Sequence, residues 1–169
     1  AARFRLTRRG NLVARRASRE PLQHLTGTAP FRHLELRVGP GVFVPRPETE
    51  TLVDIALAEL ASLRAHNAHA GLVVVDLCTG SAAIPLAIAT ESSGVQAIGV
   101  ELSPEAFEWA TRNVGAHVSA LAAAGSSLAS AAPRSPLRRS HPHVVASAGC
   151  QSKAYAASKS LQGPLMQLI

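Results

Sequence analysis

The sequence predicts an α/β fold in which a parallel sheet is covered by helices and preceded by a β-hairpin and an arginine-rich helix. Residues 73 to 113 read as strand, helix, strand, helix, an alternation typical of parallel strands joined by right-handed crossovers. The first of these strands, residues 73 to 77, is a largely apolar run, as expected where helices cover both faces of a sheet. At 169 residues, the chain can bury a core without disulfides.

The first twenty residues contain seven arginines, and Leu12, Val13 and Ala17 give a helix in this segment one apolar face. We favour a solvated helix. A nucleic-acid contact is the alternative. We place it second because a cluster of arginines alone is a weak signal for nucleic acid. The segment begins without methionine, and we expect it to be the cut end of a longer chain.

A β-hairpin is predicted over residues 28 to 47. Apolar and charged residues alternate from Leu34 to Val38, as in a half-buried strand. Residues 39 to 41, Gly-Pro-Gly, then read as the turn, and residues 42 to 44 as the returning strand. Prolines at positions 45 and 47 stiffen the exit, because each fixes its own φ and biases the preceding residue toward extended backbone.

Helices are predicted from about Glu48, over residues 83 to 90, and from residue 104 to about Asn113. Glu48 and Glu50 lie in the first turn of the first helix, where the helix dipole favours carboxylates. Ser103 is a good N-cap for the last helix and is followed by proline at the first helical position. Residues 96 to 100 form the second strand between the last two helices.

The chain changes character near residue 115. All 11 acidic residues lie between Glu20 and Glu108, so residues 115 to 169 carry only basic charges and supply most of the net charge of +6. No stretch of this tail is both periodic and well bounded, and we predict no fold there. Either the tail is naturally disordered or it is translated out of frame, which the loss of acidic residues favours.

Several classes of protein are disfavoured by composition. Cys78 and Cys150 are too few for a disulfide framework and are not at metal-ligand spacing. The sequence has no run of about 18 apolar residues, so we expect no membrane span. The two cysteines fit a reducing, cytoplasmic setting without a metal site. Separately from composition, we expect a monomer.

The turn from Cys78 to Ala82 is the candidate cofactor site. It follows the carboxyl end of a parallel strand, where ligands of open α/β sheets bind. Gly80 permits a sharp bend, and the following helix offers free N–H groups. Glu101 ends the next strand, where an acid can accept the hydroxyls of a ribose. Asp76 either supports the turn or reaches the ligand, and we expect Cys78 to be a small core residue rather than a reactive thiol.

Three stretches together resemble one enzyme family. They are REPLQHLTG at residues 19 to 27, PGVFVPRPETE at 40 to 50 and DLCTGS at 76 to 81. Their order and spacing resemble those of the peptide chain release factor N5-glutamine methyltransferases (HemK/PrmC) over residues 12 to 114. The resemblance implies that S-adenosyl-L-methionine donates a methyl group to the glutamine of the GGQ motif in peptide chain release factors.

The same resemblance implies a partial Rossmann-like class I methyltransferase domain, truncated at both ends. Residues 1–27 would be a remnant of a helical substrate-recognition domain, 28–47 a hairpin linker, 48–114 the first half of the methyltransferase domain, and 115–169 the tail. Glu101 would hold the ribose, and residues 45 to 49 would lie beside the cofactor. The candidate cofactor-binding residues are Cys78, Thr79, Gly80, Ser81, Ala82, Glu101, Asp76, Glu48 and Thr49.

The chain also departs from the family pattern. The family usually has glycine at the position of Ala82, where we expect the methyl group to crowd the cofactor, and aspartate at the position of Glu101. Its catalytic Asn-Pro-Pro-Tyr signature, which aims the substrate amide at the methyl group, does not occur in this sequence. We therefore predict no catalytic residue, and we expect an inactive fragment that folds marginally and binds the cofactor weakly or not at all.

Two alternatives remain open. One is an N6-adenine methyltransferase acting on DNA or RNA, because such enzymes carry a related signature. The other is a non-catalytic basic module that binds nucleic acid through the arginine-rich start and the tail. The REPLQHLTG and PRPETE stretches favour the release-factor substrate over both.

Overall fold

The computed structural model describes residues 2–66, 71–131 and 166–168. The helices are α1 (Ala2–Ala17), α2 (Leu22–Thr26), α3 (Glu50–His66), α4 (Ala83–Glu91), α5 (Pro104–Ala116) and α6 (Val118–Ala123). The strands are β1 (Thr28–Phe31), β2 (Leu34–Arg37), β3 (Leu72–Leu77), β4 (Val95–Val100), β5 (Ser127–Ala131) and β6 (Met166–Leu168). A short 3-10 helix, Pro47–Thr49, leads into α3.

The strands form two sheets. β1 and β2 pair antiparallel, and the other strands form a parallel sheet in the order β5-β4-β3-β6. β3 and β4 are in register along their whole length, from Leu72 opposite Val95 to Leu77 opposite Val100. Both strands therefore end at the same edge of the sheet, and the predicted α/β class is confirmed.

Helix α4 is the centre of the main hydrophobic core. Leu86, Ala87, Ile88 and Ala89 are all completely buried, because α4 packs against both the sheet and α3. Complete burial of a leucine or isoleucine side chain contributes about 1.5–3 kcal/mol. This helix starts directly after the Cys78–Ala82 turn, so its packing fixes the end of that turn.

A β-hairpin lies within residues 28 to 47, but the prediction that it turns at residues 39 to 41 is wrong. The strands are β1 and β2, joined by Arg32 and His33, whereas residues 42 to 44 form no strand. Residues 39 to 41 instead pack on α5. A Cβ on Gly39 would lie 2.5 Å from Cζ2 of Trp109, and the Trp109 indole N–H donates to the carbonyl of Pro40 at 3.0 Å. The glycine at position 39 thus permits close approach to a helix rather than a hairpin turn.

The prediction of no fold after residue 114 is wrong for residues 118 to 131. These residues form α6 and β5, and β5 pairs with β4 from Gln96 opposite Ser127 to Val100 opposite Ala131. The buried anchors are Leu121 and Leu128. Small alanine and serine residues hide the periodicity that larger side chains would have shown. Residues 132 to 165, and with them most of the predicted tail, lie outside the described residues.

In the part of the chain that the structure describes, no helix combines the length and apolar character needed to cross a membrane. The arginine-rich helix predicted at the start is present as α1. Its described side chains from residue 10 onward are mostly exposed, which fits the solvated helix favoured by the sequence.

An ionic cluster holds the tip of the hairpin against α3 and α4. The Arg32 guanidinium donates to both carboxylate oxygens of Glu91, at 2.6 and 2.7 Å, and to Asp54 at 2.7 Å. The backbone N–H of Arg32 donates to Glu50 at 3.0 Å. These bonds lower the pKa of Glu91 below its usual range and raise that of Arg32. They also hold Arg32 at a φ of 52°, which a residue with a side chain rarely adopts.

We expect Arg32→Met to lower the free energy of unfolding by about 1–3 kcal/mol, because it removes bonds between charged groups that join three elements. The matched control is Arg112→Met, which removes an exposed pair with Glu108 and a cation–π contact with Trp109, and it should cost about 1 kcal/mol or less. Urea unfolding at pH 7 measures both.

The effect of Arg32→Met should shrink as the pH falls through the lowered pKa of Glu91, because protonation removes the charge of this carboxylate. Equal effects of the two substitutions at pH 7 would contradict the role given to this cluster.

Candidate functional site

The Cys78–Ala82 turn has an unusual backbone. Cys78, Gly80 and Ala82 have φ values of 61°, 56° and 64°, whereas the residues between them have ordinary negative φ. Such an alternation turns neighbouring N–H groups toward one side and is typical of main-chain sites that hold anions. The turn is fixed to the end of β4 by a bond from the Thr79 N–H to the carbonyl of Val100 at 3.0 Å.

The carboxylate of Glu101 occupies this edge of the sheet. One of its oxygens accepts the N–H of Gly80 at 2.8 Å. The other accepts the N–H groups of Leu102 at 2.8 Å and Ser103 at 2.9 Å. The structure therefore brings Glu101 and the turn together and joins them by a charge-assisted hydrogen bond.

Beneath the turn lies the buried pair Asp76 and Thr79. The Thr79 hydroxyl donates to the Asp76 carboxylate at 2.6 Å. Burial, and to a smaller extent the negative charge of Glu101, raise the pKa of Asp76 from its ordinary 3.8 to about 6, against the lowering effect of the Thr79 hydrogen bond. Of the two roles open for Asp76, the structure shows support of the turn. Gly99 makes room for the pair, since a Cβ there would lie 3.0 Å from the Thr79 hydroxyl.

The other wall of the turn is held by Asn113, which sequence analysis had noted only as the end of a helix. Asn113 is completely buried, and its side-chain amide donates to the carbonyl of Ser81 at 2.9 Å. The available signal was its spacing. Asn113 follows Ala106 and Ala110 on the buried stripe of α5, where a polar side chain needs a partner.

Two predicted site residues point elsewhere than expected. Cys78 is exposed, so its prediction as a core residue is wrong; the positive φ at this position swings its side chain out of the sheet. Ala82 is only 1% exposed, and its methyl group packs in the main hydrophobic core. In the structure the methyl group is therefore part of the protein interior.

Glu48 and Thr49 lie on the short 3-10 helix that leads into α3. A cavity of about 590 Å³ lies between α2 and the hairpin exit, which is the segment from residue 38 to residue 47 that follows β2. This exit also reaches the turn, because a Cβ on Gly80 would lie 3.8 Å from Cγ2 of Val42. The cavity is lined by Pro21, Gln23, His24, Gly41, Val42, Phe43, Val44, Pro45, Arg46 and Pro47.

Across the described ranges, no three histidine, cysteine, aspartate or glutamate side chains come together as metal ligands. The site offers a ligand the Glu101 carboxylate and a small turn at the carboxyl edge of a parallel sheet, since the N–H groups of Thr79, Gly80 and Ala82 already have acceptors in the protein. This set suits a neutral or cationic molecule that carries hydroxyl groups.

Several curated proteins are about half identical in sequence to part of this chain. The release factor glutamine methyltransferase of Bifidobacterium longum is 53% identical over 103 residues, which are 61% of this chain and 34% of that protein. That of Streptomyces coelicolor is 52% identical over 103 residues, 61% of this chain and 35% of the relative. That of Mycolicibacterium smegmatis is 51% identical over 114 residues, 67% of this chain and 38% of the relative.

The chain is similar to release factor glutamine methyltransferases. These identities confirm the resemblance to this family that REPLQHLTG, PGVFVPRPETE and DLCTGS indicated. The chain spans about a third of the length of the curated relatives it matches. No family model matches the chain.

Solved structures match as well, and one of them is the tRNA (uracil-54, C5)-methyltransferase of Pyrococcus abyssi in complex with S-adenosyl-L-homocysteine, at 18% identity, over 62% of this chain and 23% of that chain. Its TM-score of 0.41 does not establish a shared fold. The α/β class of this chain follows from its own parallel sheet.

The raised pKa of Asp76 predicts a pH dependence of stability. A carboxyl whose pKa is about 6 in the folded state and 3.8 when unfolded favours folding most below 3.8 and loses that contribution as the pH rises through 6. Asp76→Asn still accepts the Thr79 hydroxyl and does not titrate. We expect wild type to lose up to roughly 3 kcal/mol more than Asp76→Asn between pH 4 and 7.

Urea unfolding at several pH values measures this difference. Glu108→Gln, which changes an exposed carboxylate on α5, is the control and should follow wild type at each pH. Parallel curves for wild type and Asp76→Asn would show that Asp76 titrates normally in the folded protein.

Proposed function

We propose that this chain binds S-adenosyl-L-methionine at the Cys78–Ala82 turn and is the cofactor-binding part of an enzyme that methylates the GGQ glutamine of peptide chain release factors. The observation that carries the cofactor proposal is the bond between the Glu101 carboxylate and the Gly80 N–H. It joins the carboxyl ends of two adjacent parallel strands, the place where nucleoside ligands bind in open α/β sheets.

The donor set fits this cofactor. The two oxygens of a carboxylate have about four acceptor sites, and three are used by the N–H groups of Gly80, Leu102 and Ser103. Glu101 can thus accept a ribose hydroxyl without losing an existing bond. Because Gly80 has no side chain, the backbone of the turn is accessible to a ligand.

The residues of this chain bind and orient, and they do not complete the reaction. S-adenosyl-L-methionine supplies an electrophilic methyl group when it is bound. Glu101 fixes the ribose, Thr79 and Asp76 keep the turn in shape, and Glu48 and Thr49 stand at the end of the hairpin exit. Aiming the substrate amide requires acceptors such as those of Asn-Pro-Pro-Tyr, which these 169 residues lack.

The release-factor substrate is supported by the names of the curated relatives and by the distinctive stretches shared with that family. In this proposal α1 and α2 belong to the substrate-recognition part, and the hairpin links it to the methyltransferase part. The protein acts as a monomer in the cytoplasm, where release factors work.

Isothermal titration with S-adenosyl-L-methionine tests the cofactor site. We expect weak binding by wild type and a further loss of about tenfold or more in Glu101→Gln, because hydrogen bonds to a charged acceptor are stronger than those to an amide. Glu108→Gln is the matched control, with the same chemical change on an exposed carboxylate of α5.

Equal affinity of Glu101→Gln and wild type would disprove the role of Glu101. A second assay adds a bacterial release factor and radiolabelled S-adenosyl-L-methionine. We expect no label transfer by this chain, and transfer once residues carrying the Asn-Pro-Pro-Tyr signature of a curated relative are fused after the sheet. Labelling of RNA or DNA in place of the release factor would favour the nucleic-acid alternatives.

A further inference from the structure

The side-chain amide of Asn113 joins three parts of the molecule that are distant in sequence. Its oxygen accepts the N–H of Arg37 at 2.7 Å, and its nitrogen donates to the carbonyl of Arg37 at 3.0 Å. The second N–H of the nitrogen donates to Ser81 at 2.9 Å. One amide on α5 thus holds the end of the hairpin and the cofactor turn together.

The contact with Arg37 has the form of strand pairing. A side-chain amide that both accepts from and donates to the backbone of one residue replaces the bonds that a neighbouring strand would make. Arg37 is the last residue of β2, and the next residue, Val38, is fixed by a bond to Gly27. The hairpin is therefore held where it leaves its own sheet.

No other residue type could make the same three bonds from this position. Aspartate has the right length but no donor, so two buried carbonyls would face a carboxylate. Glutamine is one methylene longer, and leucine would leave all three backbone groups without this partner, with the Ser81 carbonyl fully buried. Both N–H groups of Asn113 are used, which makes the requirement specific.

We propose that Asn113 is a positioning residue, which couples the position of the hairpin to the shape of the cofactor turn. This inference rests on the proposed cofactor site. The Ser81 carbonyl lies between two residues with positive φ, Gly80 and Ala82, so a shift of this carbonyl rotates the N–H groups on either side of it. The hairpin is also held at its tip by Arg32, so contacts at both of its ends set its position.

The coupling connects the turn to the surface formed by the hairpin exit and α2. The hairpin exit contacts α2 through the His24 ring and the carbonyl of Val42, 3.1 Å apart, and it borders the cavity there. A protein that docks on this face displaces the hairpin. Asn113 transmits that displacement to Ser81, and so substrate docking adjusts the turn that holds the cofactor.

The test compares Asn113→Ser with Val114→Ala, its neighbour on α5. Val114 is also buried in the core but makes no side-chain hydrogen bond, so its truncation matches the loss of packing without the loss of coupling. Amide hydrogen exchange at Gly80, Ser81 and Ala82, followed by NMR, reports the turn. Affinity for S-adenosyl-L-methionine is measured under conditions in which both variants are folded.

We expect Asn113→Ser to speed exchange at the turn and to weaken cofactor binding by about tenfold, as positional errors at a binding site do. Val114→Ala should leave both within about threefold of wild type at a similar loss of stability. Equal effects of the two variants on the turn would reduce Asn113 to a structural residue and overturn the proposal.

A second measurement separates this inference from the proposed function. Arg32→Met loosens the tip of the hairpin far from the turn. In the wild-type background we expect it to change the amide shifts of Gly80 and Ser81, and in the Asn113→Ser background to leave them unchanged. This result is readable even if S-adenosyl-L-methionine does not bind, whereas identical shift changes in both backgrounds would contradict the coupling.

Discussion

The buried amide of Asn113 is the contact on which the arrangement of this chain depends. The hairpin belongs to a separate two-stranded sheet, and the parallel sheet has no strand in common with it. Hydrogen bonds from one side chain join the end of β2 to the turn that follows β3. A buried polar network of this kind stabilises only when every group has a partner, and here both N–H groups of the amide have one.

The turn itself combines strain with support. Two residues with side chains, Cys78 and Ala82, have left-handed backbone that costs free energy. The strain persists because several contacts determine the same conformation: the Asp76–Thr79 pair from below, Glu101 from the side, and the packing of α4 behind Ala82. This is a pre-organised loop, and a ligand that enters it meets a shape that already exists.

The sequence predicted those elements whose signals are local. The apolar strands, the helix after the turn and the cap at Ser103 all form as expected, and the Ser103 hydroxyl accepts the N–H of Ala106. It failed where a residue serves a distant partner. Gly39 reads as a turn residue but makes room for Trp109, and Asn113 reads as a helix end but binds the hairpin. The prediction for Cys78 is wrong because the sign of its φ angle cannot be predicted from the residue type.

Strand β5 lies at one edge of the described parallel sheet and is held there by main-chain pairing with β4. β5 has the sequence SLASA and is attached to β4 along its length, with Leu128 as its buried apolar anchor. Main-chain bonds do not depend on residue type, so many sequences would fit this strand equally well. Substitutions can therefore accumulate there over evolutionary time while the sheet keeps its order. In that strand, sequence similarity between relatives is lost before the fold changes.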